Sequence, residues 1–304
     1  SYNGYVAAAT ILNEQPVMSA SEYIDAGGND LGAATDWQDE VSRVGVSNVH
    51  NIAISGGSEN TTFRLSTNFR DINGILENSG FDQINARANI NHFALNDRLK
   101  LSFNMSLTNR KSNFSFNEAL RYAALYNPTA PIRFDNGEFF QAVLFDNFNP
   151  VAILDQNVND GKKKELNFNV LAEYNITDEL SITANYGQQY DNTLNGEFYP
   201  STSFFRGLNR TGLARRYTED GRFSLFESYL SYSNSFGALD LTVSGGYSYQ
   251  ETFREGLLLE LGNFPTNELG YYGIDLSGDR VLGVAANVNV DSWATPNEKI
   301  IAFF

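Results

Sequence analysis

Apolar and polar residues alternate with a period of two in eight segments of the chain. In the stretch SGGSENTTFRLSTNFRDINGIL, Phe63, Leu65 and Phe69 alternate with Arg64 and Arg70. Successive side chains of a β-strand point to opposite sides, so this pattern predicts a strand with one apolar and one polar face. The segments are Val46–Gly57, Thr61–Ile72, Ile84–Phe93, Leu99–Thr108, Leu166–Ile176, Leu180–Tyr190, Ser224–Phe236 and Leu239–Gln250.

The lengths of these segments and of their connectors favour a membrane protein. Most segments have about ten residues or more, whereas strands of globular proteins usually have about five or six. A tilted strand that crosses a bilayer needs about 9–11 residues. Short connectors (GGSEN, ALND, TDE and GA) alternate with long ones at Asn73–Gln83, Asn109–Glu165 and Asp191–Phe223, as in outer-membrane barrels. We therefore predict an all-β, transmembrane antiparallel β-barrel with long extracellular loops, with a soluble β-sandwich as an alternative.

Local signals predict smaller elements outside these strands. Capped helices are expected at Ser19–Gly28 and Asp36–Arg43. In the long connectors, Phe134–Phe140 reads as a small hairpin on an Asn-Gly turn, and Asn159–Glu165 as an Asp-Gly turn before three lysines. At the end of the chain, only Lys299–Phe304 is expected to be strand, because ATPNE precedes it. The chain thus divides into a leading segment with short helices (1–45) and a partial β-barrel of about eight strands plus a truncated one (46–304).

Composition narrows the class further. The net charge of −15 argues against a nucleic-acid partner, which would require a basic surface. The absence of cysteine excludes a disulfide scaffold and a cysteine-based metal site. The chain has no apolar run of the roughly 18 residues that a transmembrane helix requires, and SYNGYVAAAT lacks the features of a signal peptide.

Residues that could carry catalysis are sparse. His50 and His92 each lie on a predicted strand without a partner at metal-ligand spacing, so structural or interfacial roles are expected. Asp36 and the nearby acids of TDWQDE are better explained by a helix N-terminus than by a catalytic carboxylate cluster. The lysines Lys162–Lys164 could contact anionic lipid headgroups, but the sequence favours simple solvation. We therefore predict no enzymatic activity, no cofactor and no metal.

Several motifs together resemble one transporter family. TDWQDEVSRVGVSNVHNIAISGGSENTTFRLSTNFRDINGIL is similar to the opening barrel segment of the SusC/RagA family of TonB-dependent outer-membrane transporters. SGFDQINARANINH, LKLSFNMSLTNR, FESYLSYSNSFG, LTVSGGYSYQ and KIIAFF follow in the family's order. One departure is Asp71-Ile72-Asn73-Gly74, where the family usually has Asp-Gln-x-Gly.

The resemblance implies a portion of a roughly 22-stranded plugged barrel in the bacterial outer membrane. In the family, the plug and TonB box lie upstream of this region and further strands lie beyond KIIAFF. The implied activity is TonB-dependent import of a bulky nutrient, an oligosaccharide or peptide, together with a SusD-like surface lipoprotein. The implied partners are that lipoprotein, the TonB complex, outer-membrane lipid and the glycan or peptide substrate. Substrate, lid protein and oligomeric state stay open.

The resemblance and the alternation together assign expected roles to three groups of residues. Substrate or lid contact is expected of Phe134, Asn136, Phe139, Phe140, Phe145, Phe148, Phe204 and Phe205, with packing inside the loops as the alternative. Residues expected to face the lumen or plug are Arg64, Arg70, Arg87, Asn89 and Lys100. Residues expected to face lipid are Phe63, Leu65, Phe69, Leu99, Leu101, Phe103 and Leu107.

Two other functions remain open at this stage, because a fold does not fix a function. One is a non-transporting SusC-like scaffold or assembly subunit of an outer-membrane complex. The other is a self-contained, eight-stranded barrel adhesin, which would have to close on itself within this chain.

Overall fold

One large antiparallel sheet dominates the computed structural model, which describes residues 1–142, 146–282 and 288–304. Its strands are β1 (Tyr2–Ala9), β2 (Gly45–Gly57), β3 (Thr61–Asn73), β4 (Gly80–Ala94), β5 (Leu99–Asn113), β6 (Val158–Asn175), β7 (Leu180–Tyr199), β8 (Leu213–Phe236), β9 (Leu239–Gly262), β10 (Asn289–Ala294) and β11 (Glu298–Phe303). The α-helices are α1 (Ala20–Asp25), α2 (Trp37–Glu40), α3 (Glu118–Leu125), α4 (Pro150–Gln156) and α5 (Gly278–Leu282), with 3₁₀-helices at Leu208–Arg210 and Gly270–Leu276.

The strands form a meander in which each pairs with the next from β1 to β9. The short connectors, at 58–60, 95–98, 176–179 and 237–238, all lie at one end of the sheet, and the long ones, at 10–44, 74–79, 114–157, 200–212 and 263–288, lie at the other. All eight alternating segments are strands, β2 to β9, so the predicted antiparallel architecture is confirmed.

Several strands continue well beyond the alternating segments that predicted them. The expected turn at Asn159–Glu165 is wrong, because these residues lie inside β6 and pair with both β5 and β7. A Cβ atom on Gly161 would lie 2.6 Å from Asn195 Oδ1 and 2.7 Å from Phe114 Cε2. This glycine therefore permits a close approach of neighbouring side chains in a continuous strand, where the sequence suggested a turn.

The two ends of the chain contribute strands that the alternation does not reveal. β1 lies within the leading segment, for which the sequence predicts short helices but no strand, and pairs with β2 from Tyr2↔Ile52 to Ala9↔Gly45. At the other end, β10 and β11 both pair with β9, and Pro296 lies between them. The expectation that only Lys299–Phe304 forms strand is therefore wrong. Proline lacks the N–H that a continuous ladder requires, which explains the interruption.

The sheet is open within the described ranges. There, β1 pairs with β2 alone, and β10 and β11 pair with β9 alone. This open edge gives no support to the alternative of a small barrel that closes within the chain.

The cross-strand register keeps the two faces of the sheet distinct. Phe63 lies opposite Ile90, which lies opposite Phe103, whereas Arg64 lies opposite Asn89. One face therefore carries all of the residues expected to face lipid, and the other carries all of those expected to face the lumen. We call these the apolar face and the polar face.

The buried hydrophobic core lies outside the sheet's faces, at the end with the long connectors. Side chains from three connectors and adjoining strand ends form one cluster: Trp37, Val41, Leu76, Phe116, Ala119, Tyr122, Ala123, Tyr126, Ala130, Ile153, Leu154, Tyr199 and Leu213. We call this cluster the loop core. It joins segments far apart in sequence into one packed layer over that end of the sheet.

The TDWQDE motif attaches the leading segment to the loop core. Asp36 caps α2 by accepting hydrogen bonds from the backbone N–H groups of Gln38 and Asp39, so its predicted role at a helix N-terminus is confirmed. Trp37 is buried, packs edge-on against Tyr126 at 4.9 Å between ring centroids, and donates its indole N–H to the Asn127 carbonyl at 2.9 Å. Helix α1 begins with the expected cap at Ser19.

Replacing Trp37 tests whether the loop core holds the long connectors together. W37A should cost about 3–5 kcal/mol of packing free energy, so the connectors should become more susceptible to limited proteolysis. L120A is the matched control, because Leu120 lies on α3 but is 47% exposed. Equal protease resistance of the W37A and L120A variants would contradict this account of the core.

Candidate functional site

A cleft of about 560 Å³ lies between two long connectors, 114–157 and 200–212, beside the loop core. Its walls combine aromatic rings with hydroxyl, amide and charged groups. The lining residues are Arg133, Phe134, Gly137, Glu138, Phe139, Gln141, Phe148, Asn149, Ala152, Ile153, Gln156, Ser201, Thr202, Ser203, Phe204, Phe205 and Leu208.

Five of the eight residues expected to contact substrate or lid line this cleft: Phe134, Phe139, Phe148, Phe204 and Phe205. Phe140 is outside the lining and packs against Phe134, with 5.0 Å between ring centroids. Asn136 is also outside it, and its side chain bonds Glu138 in the hairpin turn. Phe145 lies outside the described residues. The structure thus brings most of the set together, although contact with a ligand stays a prediction.

The cleft aromatics differ in how much of each ring is free to meet a ligand. Phe205 and Phe148 contact each other edge-on at 5.5 Å, and Phe205 also packs against the buried Tyr199. These two rings are part of the wall. Phe134 and Phe204 are 47% and 48% exposed, respectively, so their ring faces are the ones available for stacking.

The predicted Asn-Gly hairpin forms one wall of the cleft. Gly137 adopts a left-handed backbone (φ +84°), and the Phe134 N–H donates to the Glu138 carbonyl at 2.8 Å. Arg133 lies over the Phe139 ring at 3.6 Å and donates to the Gly137 carbonyl at 2.9 Å. The cation therefore fixes the ring in place and adds hydrogen-bond donors beside it.

A fully buried asparagine holds this hairpin against α4. Asn149 donates to the carbonyls of Ile132 and Phe140, both at 2.9 Å, and its own side-chain oxygen accepts from the Ala152 N–H at the start of α4. Sequence reasoning missed both Asn149 and Arg133. The Asn-Pro pair before α4 was the available signal, because asparagine is a preferred N-cap and proline a preferred first helical residue.

An ion pair fixes the chain on the other side of Phe148. Arg121 donates to Asp146 at 2.9 Å, and the Tyr122 hydroxyl donates to the same carboxylate at 2.8 Å. These hydrogen bonds, that from Arg121 first, lower the pKa of Asp146 below its usual value. Burial and the bond to Asp146 raise the pKa of Tyr122, so the tyrosine stays a donor at neutral pH.

The polar face of the sheet carries a second cavity, of about 680 Å³. Arg64, Arg70 and Arg87 line it, together with asparagine, glutamine and serine side chains from β1 to β5. Asn89 lines an adjoining depression, and Lys100 lies 3.9 Å from Glu173 on the next strand. All five residues expected to face a lumen thus lie along one polar surface.

The opposite face exposes apolar side chains over many strands. Leu65, Phe69 and Leu107 are 45%, 40% and 47% exposed, although they lie in the middle of paired strands. An exposed apolar surface of this extent requires a covering apolar phase. Both histidines lie on this face and bond cross-strand neighbours, His50 with Tyr2 and His92 with Thr61, each at 2.8 Å.

The described part of the chain offers neither a metal-binding cluster nor a helix able to span a membrane. No group of three or more acidic, histidine or cysteine side chains there could hold a metal ion. Helices in the same ranges are all too short or too polar to span a membrane.

Comparison with known proteins gives relatives of one kind. TonB-dependent receptor P3 of Formosa agariphila is 28% identical over 282 residues, which cover 89% of this chain and 27% of that protein. TonB-dependent receptor SusC of Bacteroides thetaiotaomicron is 27% identical over 84% of this chain and 29% of its own length. No protein-family model matches the chain. The chain thus spans less than a third of the length of these curated relatives.

The fold agrees with these relatives. The structure of the RagAB peptide transporter superposes with a TM-score of 0.73 at 16% identity, over 96% of this chain and 39% of that one. The chain is SusC/RagA-like. Receptors of this kind are outer-membrane proteins. Its relatives are named as receptors and transporters rather than enzymes.

The assignment of the two faces can be tested by placing an arginine at each of two adjacent residues of β5. Met105 shares the apolar face with Phe103 and Leu107, whereas Asn104 lies on the polar face. M105R should destabilise the protein folded in lipid vesicles, lowering its free energy of unfolding by up to about 2–4 kcal/mol, because it places a cation against lipid. N104R should cost much less, since its neighbours Asn89 and Asn169 are polar. Equal losses measured by urea titration would contradict the assignment of the faces.

Proposed function

We propose that this SusC/RagA-like chain takes part in TonB-dependent import of a bulky nutrient, an oligosaccharide or a peptide, across the outer membrane. The observation that carries the proposal is the aromatic cleft at the long-loop end, which lies at the same end as the packed loop core. The curated relatives are TonB-dependent receptors, and the superposed structure is that of the RagAB peptide transporter.

The composition of the cleft suits a large amphipathic ligand. The exposed rings of Phe134 and Phe204 offer flat apolar faces, which stack on sugar rings or on apolar side chains of a peptide. Ser201, Thr202 and Gln156 supply hydrogen-bonding groups beside them. A pocket with both kinds of group fixes orientation as well as affinity.

Transfer through the barrel would follow the polar face. We propose that Arg64, Arg70, Arg87, Asn89 and Lys100 face the lumen or the plug, because they share one surface with the polar cavity. The residues expected to face lipid occupy the opposite surface. We further propose a SusD-like surface lipoprotein as the partner that covers the cleft, and TonB as the source of mechanical work.

The test of the proposal is uptake by cells that express the receptor. The double variant F134A/F204A should lower the rate of uptake of the cognate oligosaccharide or peptide at least about fivefold, because each lost stacking contact contributes about 0.5–1.5 kcal/mol. Leu269 provides the matched control: it is 53% exposed at the same end of the sheet but outside the cleft, so L269A should leave uptake unchanged.

Removal of TonB from the same cells separates import from a scaffold role. If the proposal is correct, uptake ceases without TonB while the receptor stays in the outer membrane. TonB-independent uptake, or a receptor that assembles with its partners but supports no uptake, would favour the non-transporting scaffold.

A further inference from the structure

The three consecutive lysines of β6 do not form a single patch. Lys163 lies on the polar face and bonds Glu165 at 2.6 Å, whereas Lys162 and Lys164 lie on the same side as the apolar face. Lys162 is directly opposite Lys111 of β5. Three lysines from two adjacent strands thus lie on the same side of the sheet as the apolar face, toward the end with the long connectors. We call this side the outer side.

These lysines lie where the apolar face ends, on the side nearest the long connectors. Leu166 and Leu107 lie opposite each other at the end of the apolar run, and Lys164 follows Leu166 on the same side of β6. From there to the loops, the outward positions of β5 and β6 are polar except Val158 at the start of β6. Cations at this level would meet lipid headgroups, while the residues below them meet acyl chains.

A groove of about 370 Å³ opens on the outer side at this level. Its apolar part includes Leu107, Leu166, Tyr190 and Phe253, and Lys164 and Arg222 also line it. The groove therefore offers an apolar surface continuous with the lipid-covered face, next to two exposed cations. A free anion in water would gain nothing from the apolar part, whereas a lipid would use both.

These cations are available for a ligand. Among the described residues, Lys111, Lys164 and Arg222 form no ion pair or hydrogen bond, and all three are exposed. Lys162 is positioned by Tyr272, whose hydroxyl accepts from its ammonium group at 2.7 Å. That hydrogen bond lowers the pKa of Tyr272 below its usual value.

Acidic residues flank the patch without neutralising it. Asp82 lies opposite Lys111 across the β4–β5 pair but forms no ion pair with it among the described residues. Asp220 lines the groove and accepts a hydrogen bond from Asn192 at 2.5 Å, and Glu255 lines its far side. Asp160 lies on the same side of β6 as Lys162, so the patch carries both signs of charge, with no ion pair between its cations and these carboxylates among the described residues.

We propose that Lys111, Lys162, Lys164 and Arg222 bind the phosphate groups of an outer-leaflet lipid whose acyl chains cover the adjoining apolar face. The proposal rests on the outward orientation of the apolar face and is independent of the substrate of the cleft. Such a lipid would fix the height of the barrel in the membrane at β5 to β8.

Native mass spectrometry of the protein, extracted from outer membranes in detergent, tests this proposal. Bis-phosphorylated lipid A is added to the wild type and to two double variants. K111Q/K164Q should weaken its binding by roughly five-fold for each lysine removed. The matched control is R110Q/K163Q, which removes the same charge from the neighbouring positions on the polar face and should bind like the wild type.

Three results would overturn the proposal. They are unchanged lipid binding by K111Q/K164Q, an equal loss in R110Q/K163Q, and binding of inorganic phosphate as tight as that of the lipid. Heat-modifiable migration on gels verifies that both variants are folded. Uptake by K111Q/K164Q distinguishes this proposal from the import function, because loss of lipid with normal uptake leaves the cleft's role intact.

Discussion

The alternation of side chains across a fully hydrogen-bonded sheet is the constraint on which the rest of this structure depends. Within lipid no water is present to satisfy backbone polar groups, so each strand must pair with its neighbours along its length. The period of two then divides the side chains between two environments. Phe63 and Leu65 lie on one face and Arg64 on the other, and the register keeps the two faces distinct through β9.

No other part of the described chain covers the middle of the apolar face, so the buried hydrophobic side chains are concentrated in the long connectors. The loop core joins connectors far apart in sequence around Trp37, Tyr122 and Tyr199. Two of its neighbours, Phe148 and Phe205, are also walls of the cleft. The packing that orders the loops therefore shapes the proposed ligand site, which explains why the same residues admitted both a packing and a binding interpretation.

Sequence patterns predicted the parts of the fold that lipid constrains and missed the parts that it does not. β2 to β9 were recognisable because one of their faces must be apolar. The sequence of β6 before Leu166 predicts a turn, because the alternation ends there and Asp160-Gly161 is a common turn pair. β1 was missed because Tyr5-Val6-Ala7-Ala8 does not alternate. The cleft depends on long-range contacts, such as those of Asn149, which no local pattern encodes.

The most direct test of the central claim is a spin-label scan along β3, made easier because this chain has no cysteine. Single cysteines at positions 63 to 70 are labelled, and the accessibility of each label to oxygen and to a water-soluble nickel complex is measured in bilayers. The account predicts a period of two, with odd positions accessible to oxygen and even positions accessible to nickel. A uniform profile, or one with the two sets exchanged, would contradict it.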